Sequence, residues 1–415
     1  MQTLRIGKFI LQGGMAVMLL LQGYAWAAAP IDKQVQEHAM QSTPAVLGLM
    51  EKLVNIDSGT SNEKGLDRVG GLIAEEARKL GMQVEFSAAA APAVGKNIVA
   101  TFKGTGRTKI LLMTHMDTVF ADGTAAARPF RVQGDRAYGP GVMDDKGGIA
   151  IALQAIRILQ QTKFNNFARV TLFVNTNEET FSKGSRSLIE SLARQHDVVL
   201  SMEPGRAADG VVVWRKGSAD LAIDVKGKAS HAGVAPEAGR NAAMEAAHQM
   251  LQMATLGDPA KQTTVNFTVF KAGDRANVIP EAARVQGDMR AIQADEFDRV
   301  EKEMARIAAK KLIDGTVVTT SLTRGMAPMP VNPRTDALAA RAQAVYAELG
   351  MTLRLEGSGG AADANYSAAL GVPTIDGFGI VGGGIHTDEE YAEIKSIPPR
   401  LYLLVRMITE LAAAP

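Results

Sequence analysis

The chain has 415 residues, 46% hydrophobic and 21% charged, which excludes a collagen, a coiled coil or a disordered tail as a description of the whole. Forty-five basic against 44 acidic side chains leave a formal net charge of +1, with no basic excess to attract nucleic acid. There is no cysteine, so disulfides, thiol nucleophiles and thiolate metal sites are excluded, and any metal must be held by histidine and carboxylate.

Residues 1–27 read as an export signal. Arg5 and Lys8 precede the apolar run Ala16–Leu21, and Ala25-Trp26-Ala27 gives the small-x-small pattern of a cleavage site. Gln12, Gly13, Gly14 and Gln22 interrupt the run, which falls short of the roughly 20 apolar residues of a spanning helix. The expectation is a cleaved signal peptide, a periplasmic or secreted protein and no stable membrane insertion.

From Asn97 onward, short apolar runs alternate with segments of helical period. Lys109–Thr114, Val170–Asn175 and Asp197–Met202 are apolar without alternation, as strands covered on both faces are. Between the first two, Ile149, Leu153, Ile156 and Leu159 recur at helical spacing within 147–161. Strand, helix, strand in that order predicts a mostly parallel sheet covered by helices, an α/β class. After about Val213 the pattern changes. Leu221, Ile223 and Val225 alternate with Asp220, Asp224 and Lys226, which predicts a strand with one wet face. A helix over 241–256, strands over 263–271 and 284–292, a helix over 295–312 and a strand over 317–323 complete a β-α-β-β-α-β unit. The expected organisation is therefore a discontinuous domain, 30–213 plus 325–415, interrupted by a ferredoxin-like domain over 214–324.

Polar residues gather where the apolar strands end. The first strand runs into His115 and Asp117, the second into Glu178 and Glu179, the third into Glu203. Asp144 and Asp145 sit in the turn Gly139–Gly148 before the helix, and His386 follows Gly382-Gly-Gly384. Open parallel sheets build ligand sites beyond the carboxyl ends of their strands, so these residues are expected at one edge. Two imidazoles with several carboxylates suit a pair of zinc ions, with Asp144 bridging them. Adjacent Glu178 and Glu179 can divide the work, one binding metal while the other carries a proton from water to the leaving nitrogen. Asp117, two residues after His115, can fix the imidazole tautomer.

Met113–Val119, the Gly-Pro-Gly-x-x-Asp-Asp-Lys-Gly-Gly turn, Asn175–Glu179, Ser201–Pro204 and the late His386 together resemble the co-catalytic zinc exopeptidase family. That family includes aminoacylase, acetylornithine deacetylase, succinyl-diaminopimelate desuccinylase and glutamate carboxypeptidase. The resemblance implies two Zn²⁺ per subunit, one held by His115, Asp144 and Glu203 and the other by Asp144, Glu179 and His386. It implies Glu178 as general base, with Asp117 orienting His115. It further implies an inserted domain that acts as a lid and forms a homodimer. Within it, His231 of Gly227–Gly233 resembles the histidine that stabilises the tetrahedral oxyanion.

The wording His-Met-Asp-Thr-Val119, the signal peptide and Ile397–Tyr402 resemble the secreted glutamate carboxypeptidases of the glucarpidase type. A substrate with a free carboxylate follows, and Arg290, Arg324 and Asn277 are the candidates to grip it. Two departures point instead to an N-acyl-amino-acid deacylase or dipeptidase. They are Ala362 in Ser358–Asp363, where a threonine hydroxyl is the rule, and the run Trp214-Arg-Lys-Gly217. A periplasmic solute-binding protein is the alternative of another class, though a binder has no use for Glu178 beside Glu179.

Overall fold

The computed structural model describes residues 30–413, so the expected signal peptide lies outside the described residues. A six-stranded sheet runs, in spatial order, Gln83–Ala88, Lys96–Lys103, Arg169–Asn175, Lys109–His115, Val198–Ser201 and Thr374–Ile375. The last four are mutually parallel, and the first two add an antiparallel edge. The unbroken apolar runs have the cause read from sequence: alternate side chains enter different cores. Ile110 and Leu112 pack with Ile149, Ile156, Ile158 and the closing helix Ile397–Ala413. Leu111 and Met113 pack on the opposite face against Ile189, Leu192 and Tyr366.

A separate four-stranded antiparallel sheet is built from Thr264–Ala272, Ala282–Ala291, Gly217–Lys226 and Val317–Arg324, in that spatial order. Leu221, Ile223 and Val225 point inward to meet Ala246 and Met253 of one helix and Phe297, Val300 and Met304 of another. Asp220 and Lys226 face water on the other side. The second helix spans Asp295–Ala308 and stops short of the expected 312. Its end is set by buried Glu245, whose carboxylate accepts the Leu312 and Ile313 N–H groups at 2.9 and 2.7 Å. Those donors would otherwise belong to the next helical turn. Trp214 and Arg215, assigned from sequence to the inserted domain, belong to the strand Gly210–Arg215 that pairs with Arg354–Ser358. Among the described residues, no helix is long and apolar enough to cross a membrane.

Candidate metal centre

Parallel register brings the strand ends into line. His115 lies opposite Asn175, and Met113 opposite Ser201, so the residues that follow all leave from one edge. The turn after Asn175 carries Glu178 and Glu179, and the loop after Ser201 carries Glu203. From behind comes Asp144, on the turn that feeds the buried helix Lys146–Gln161. Position 148, in the first turn of that helix, is glycine because a Cβ there would lie 2.0 Å from Asp145 Oδ1 and 2.4 Å from the Met202 carbonyl oxygen.

Asp144 is the centre of the arrangement. Its Oδ1 lies 2.9 Å from His115 Nε2, and its Oδ2 lies 3.3 Å from His386 Nε2. His386 Nε2 is also 3.2 Å from Glu179, and His115 Nε2 is 3.6 Å from Glu203. Ligand atoms of His115, Glu178 and Glu203, and of His115, Asp144 and Glu179, fall within 4.8 Å of one another. A cavity of about 320 Å³ opens on this cluster, lined by Asp144, Glu178, Glu179, Glu203 and His386 together with Arg206 and Arg215.

The donor set fits divalent metal on its own chemistry. Burial pushes Glu203 up to about 8, helped by Asp144, and pushes Glu178 well above the usual carboxylate range, helped by Glu203. Burial acts on Asp144 in the same direction, but His115 and His386 outweigh it and hold that carboxyl low. Hydrogen bonds to Asp144 and Glu179 in turn raise His386 to about 10. Such crowded carboxylates need positive charge between them, and two imidazole nitrogens already converge there. Nitrogen and oxygen donors without sulfur suit zinc.

Asp117 does more than orient a ring. Its backbone carbonyl lies 3.0 Å from His115 Nδ1, whereas its carboxylate is 3.4 Å away. That carboxylate accepts the Glu178 and Glu179 N–H groups at 3.0 and 3.2 Å and the Thr60 hydroxyl at 2.7 Å. It therefore anchors the acidic turn. Behind the turn, Asn175 donates to Ser182 at 2.7 Å and to Asp363 at 2.6 Å, and the Ser182 hydroxyl donates to Asp363.

The substrate candidates on the inserted segment are placed differently. Arg290 is clasped by Asp288 at 2.9–3.0 Å on its own strand. Arg324 pairs with Asp298 and lies over the Phe297 ring. Each cation is satisfied by the nearest carboxylate, and neither lines the cavity. Asn277 offers its carbonyl to the Ala232 N–H at 2.9 Å and is also outside the lining. His231 is exposed, and its Nδ1 accepts from the Gly233 and Val234 N–H groups at 3.2 and 3.1 Å. Within one chain, then, His231, Asn277, Arg290 and Arg324 stand apart from the cluster. The cavity's cations are Arg206 and Arg215. Arg215 pairs with Asp376, donates to Ser358 Oγ and the Gly360 carbonyl at 3.3 and 3.2 Å, and lies 4.0 Å from Glu203. The run Trp214–Gly217 was its only sequence signal; Arg206 had none.

The sequence pattern of peptidase family M20/M25/M40 matches residues 111–410. Carboxypeptidase G2 of Pseudomonas sp. (strain RS-16) is 40% identical over 385 residues, spanning 92% of this chain and 93% of that one. Acetylornithine deacetylase of Myxococcus xanthus is 29% identical over 248 residues, or 56% of this chain and 63% of the relative. A tripeptidase crystal structure from Staphylococcus aureus superposes with a TM-score of 0.79 at 23% identity, covering 90% of this chain and 99% of that one. Aminopeptidase PepT from Bacillus cereus gives 0.77 at 23% identity, with 91% and 99% covered. These two structures bear on the fold, and they agree with the mixed α/β class expected from sequence.

Proposed function

The chain belongs to peptidase family M20/M25/M40, and from that premise we propose a secreted dizinc carboxypeptidase that releases C-terminal glutamate from folate-like or other N-acyl-glutamate substrates. Membership makes it a metallopeptidase, a hydrolase of peptide and amide bonds, in a zinc-dependent family. The observation that supports the paired-metal part of this reading is Asp144, whose two oxygens each address a different histidine, and the likeness to carboxypeptidase G2 supports the carboxypeptidase part. In this reading His115, Asp144 and Glu203 hold one zinc, and Asp144, Glu179 and His386 the other. When bound, the pair supplies Lewis acidity to water and to the scissile carbonyl.

The remaining work falls to the chain. Glu178, fixed by its N–H to Asp117, takes the proton from water and passes it to the leaving nitrogen. Arg215, rigid in its bond to Asp376, gives the positive wall for the terminal carboxylate. The acyl part has a place on the far side of Glu179. A groove of about 660 Å³ shares Glu179 with the cavity, and Pro92, Val94, Val119 and Phe120 line it together with Thr60, Ser61, Thr118 and Lys183. Its mixed lining can take an acyl group that carries both apolar surface and polar atoms. A homodimer through the inserted segment is part of the proposal, and it gives His231 a route to the oxyanion that its own chain does not offer.

The test is release of free glutamate from folate by the purified mature chain loaded with zinc, beside N-acetyl amino acids. Efficient, metal-dependent release from folate supports the carboxypeptidase. Turnover of N-acetyl amino acids without glutamate release moves the protein to the deacylase branch, to which acetylornithine deacetylase belongs.

A further inference from the structure

The cavity holds one positive charge that the proposed chemistry leaves unused. Its imidazole, His386, is engaged by Asp144 and Glu179, and Arg215 is neutralised by Asp376. Arg206 makes no ion pair among the described residues, and its Nε, like Arg128 Nη2 and Arg400 Nε, is buried without a hydrogen-bond partner, but of the three only Arg206 lines this cavity. A buried guanidinium nitrogen left unpaired is costly, and native structures seldom keep one without a ligand, water or ion to complete it.

The backbone beneath Arg206 is built to hold it there. Its N–H donates to the Gly210 carbonyl at 2.9 Å, and the Gly210 N–H returns to the Arg206 carbonyl at 3.1 Å. Under this turn lies Arg400, fully buried, which donates to the carbonyls of Gly210 and Gly377, each at 2.9 Å. A Cβ on Gly205 would come within 2.7 Å of Arg400 Nη2, so the chain is pressed onto that support. The turn follows Glu203 directly, which fixes the root of Arg206 relative to the metal cluster.

We propose that Arg206 binds a second carboxylate, carried on the side chain of the residue released, and so sets the preference for an acidic amino acid. The inference rests on the exopeptidase reading above. A neutral C-terminal residue brings one carboxylate, to which Arg215 can still donate through Nη2, the guanidinium nitrogen that Asp376, Ser358 and Gly360 leave free. Arg206, whose charge no carboxylate balances, is then left for a second one.

The experiment compares N-benzoyl-glutamate with N-benzoyl-glutamine, which differ by one charge at nearly constant shape. With the zinc-loaded mature chain, kcat/KM should favour glutamate. In Arg206→Gln the glutamate-to-glutamine ratio should fall by about 10- to 100-fold, as expected for loss of a charged hydrogen bond. Zinc content should match the wild type, and Arg206→Lys should recover part of the ratio. A ratio that stays within twofold of wild type in Arg206→Gln overturns the assignment, as does a wild type that does not distinguish the two substrates. If the wild type hydrolyses neither, the exopeptidase reading has failed separately, and calorimetry with free glutamate and free glutamine decides on Arg206. Preference for glutamate that Arg206→Gln abolishes supports its role; preference that survives refutes it.

Discussion

Glu178 and Glu179 are neighbours in sequence but keep different company. Glu179 meets His386 at 3.2 Å, whereas Glu178 contributes its oxygen to the cluster with His115 and Glu203, where burial raises it well above the usual carboxylate range. A carboxyl whose affinity for protons is raised is suited to accept one near neutral pH. Glu178→Gln keeps shape and removes that capacity. We expect zinc content by atomic emission to be unchanged and kcat to fall by about 10²- to 10⁴-fold. Retention of most of the rate would remove Glu178 from the proton path. His196 shows the opposite use of burial, in a structural role. Its Nδ1–H donates to the Leu192 carbonyl at 2.7 Å, and Nε2 accepts from the Thr171 hydroxyl at 2.8 Å and Arg169 Nε–H at 3.2 Å. Burial, followed by the repulsion of Arg169, depresses it to about 4. The unfolded chain binds a proton near pH 6.5, so between there and pH 4 the unfolded state holds more protons than the folded one. Stability is therefore fully present above 6.5 and declines as pH falls towards 4, by on the order of 3 kcal/mol. Urea unfolding from pH 7 to 4 should show that slope, and His196→Gln should flatten it. An unaltered slope in the variant would assign the acid loss to other groups.

Between elements, the loops that carry ligands are held by each other. Glu390 follows His386 in the same loop, and its buried carboxylate accepts the Gly141, Met143 and Asp144 N–H groups at 2.9, 2.9 and 3.0 Å. One side chain thus ties the His386 loop to the Asp144 turn. Glu390→Ala strands three buried donors and frees both loops, so zinc affinity by competition with a chelator should drop about 10- to 100-fold. Unchanged affinity would show that the loops hold their geometry without it. Such clamps explain what sequence could and could not reveal. His115, Glu178 and Glu203 were legible because unbroken apolar runs mark buried strands, whose ends a parallel sheet gathers at one edge, and Asp144 because its Gly-rich turn feeds a helix at that edge. Glu390, Asp363 and Arg206 were not, since their roles come from contacts between segments far apart in the chain. Asp363, for instance, meets Asn175 across 188 positions. The inserted segment's arginines were named for their charge, and each is paired with a carboxylate of its own segment. A cation with Asp288 two residues away on the same face of a strand is already satisfied, and composition alone does not reveal which pairing prevails.

At the scale of the molecule, the six-stranded sheet carries apolar side chains packed on both faces and the four-stranded sheet has a core of its own, and the chain passes between these two parts at a narrow junction. There the Ser218 N–H donates to Met326 O, and the Gly325 N–H donates to Ser218 O, each at 2.9 Å. His115, Asp144, Glu179, Glu203 and His386 all come from elements outside the segment 217–324, whose own core is built from Leu221, Ile223, Val285 and Phe297. Metal binding should then stabilise one part of the molecule selectively. A ligand present at 1,000 times its dissociation constant contributes about 4 kcal/mol to the part that holds it. For a unit of more than 250 residues, each kcal/mol moves Tm by at most roughly 2 °C, so chelation should lower its transition by up to roughly 8 °C. The smaller sheet and its two helices lose no ligand and should keep their melting temperature. Calorimetry of the zinc-loaded chain with and without chelator is expected to resolve two transitions, of which only one shifts. A single transition moving as a whole would mean that the junction transmits the loss, and that the inserted segment is stabilised by the part of the molecule that carries the metal ligands.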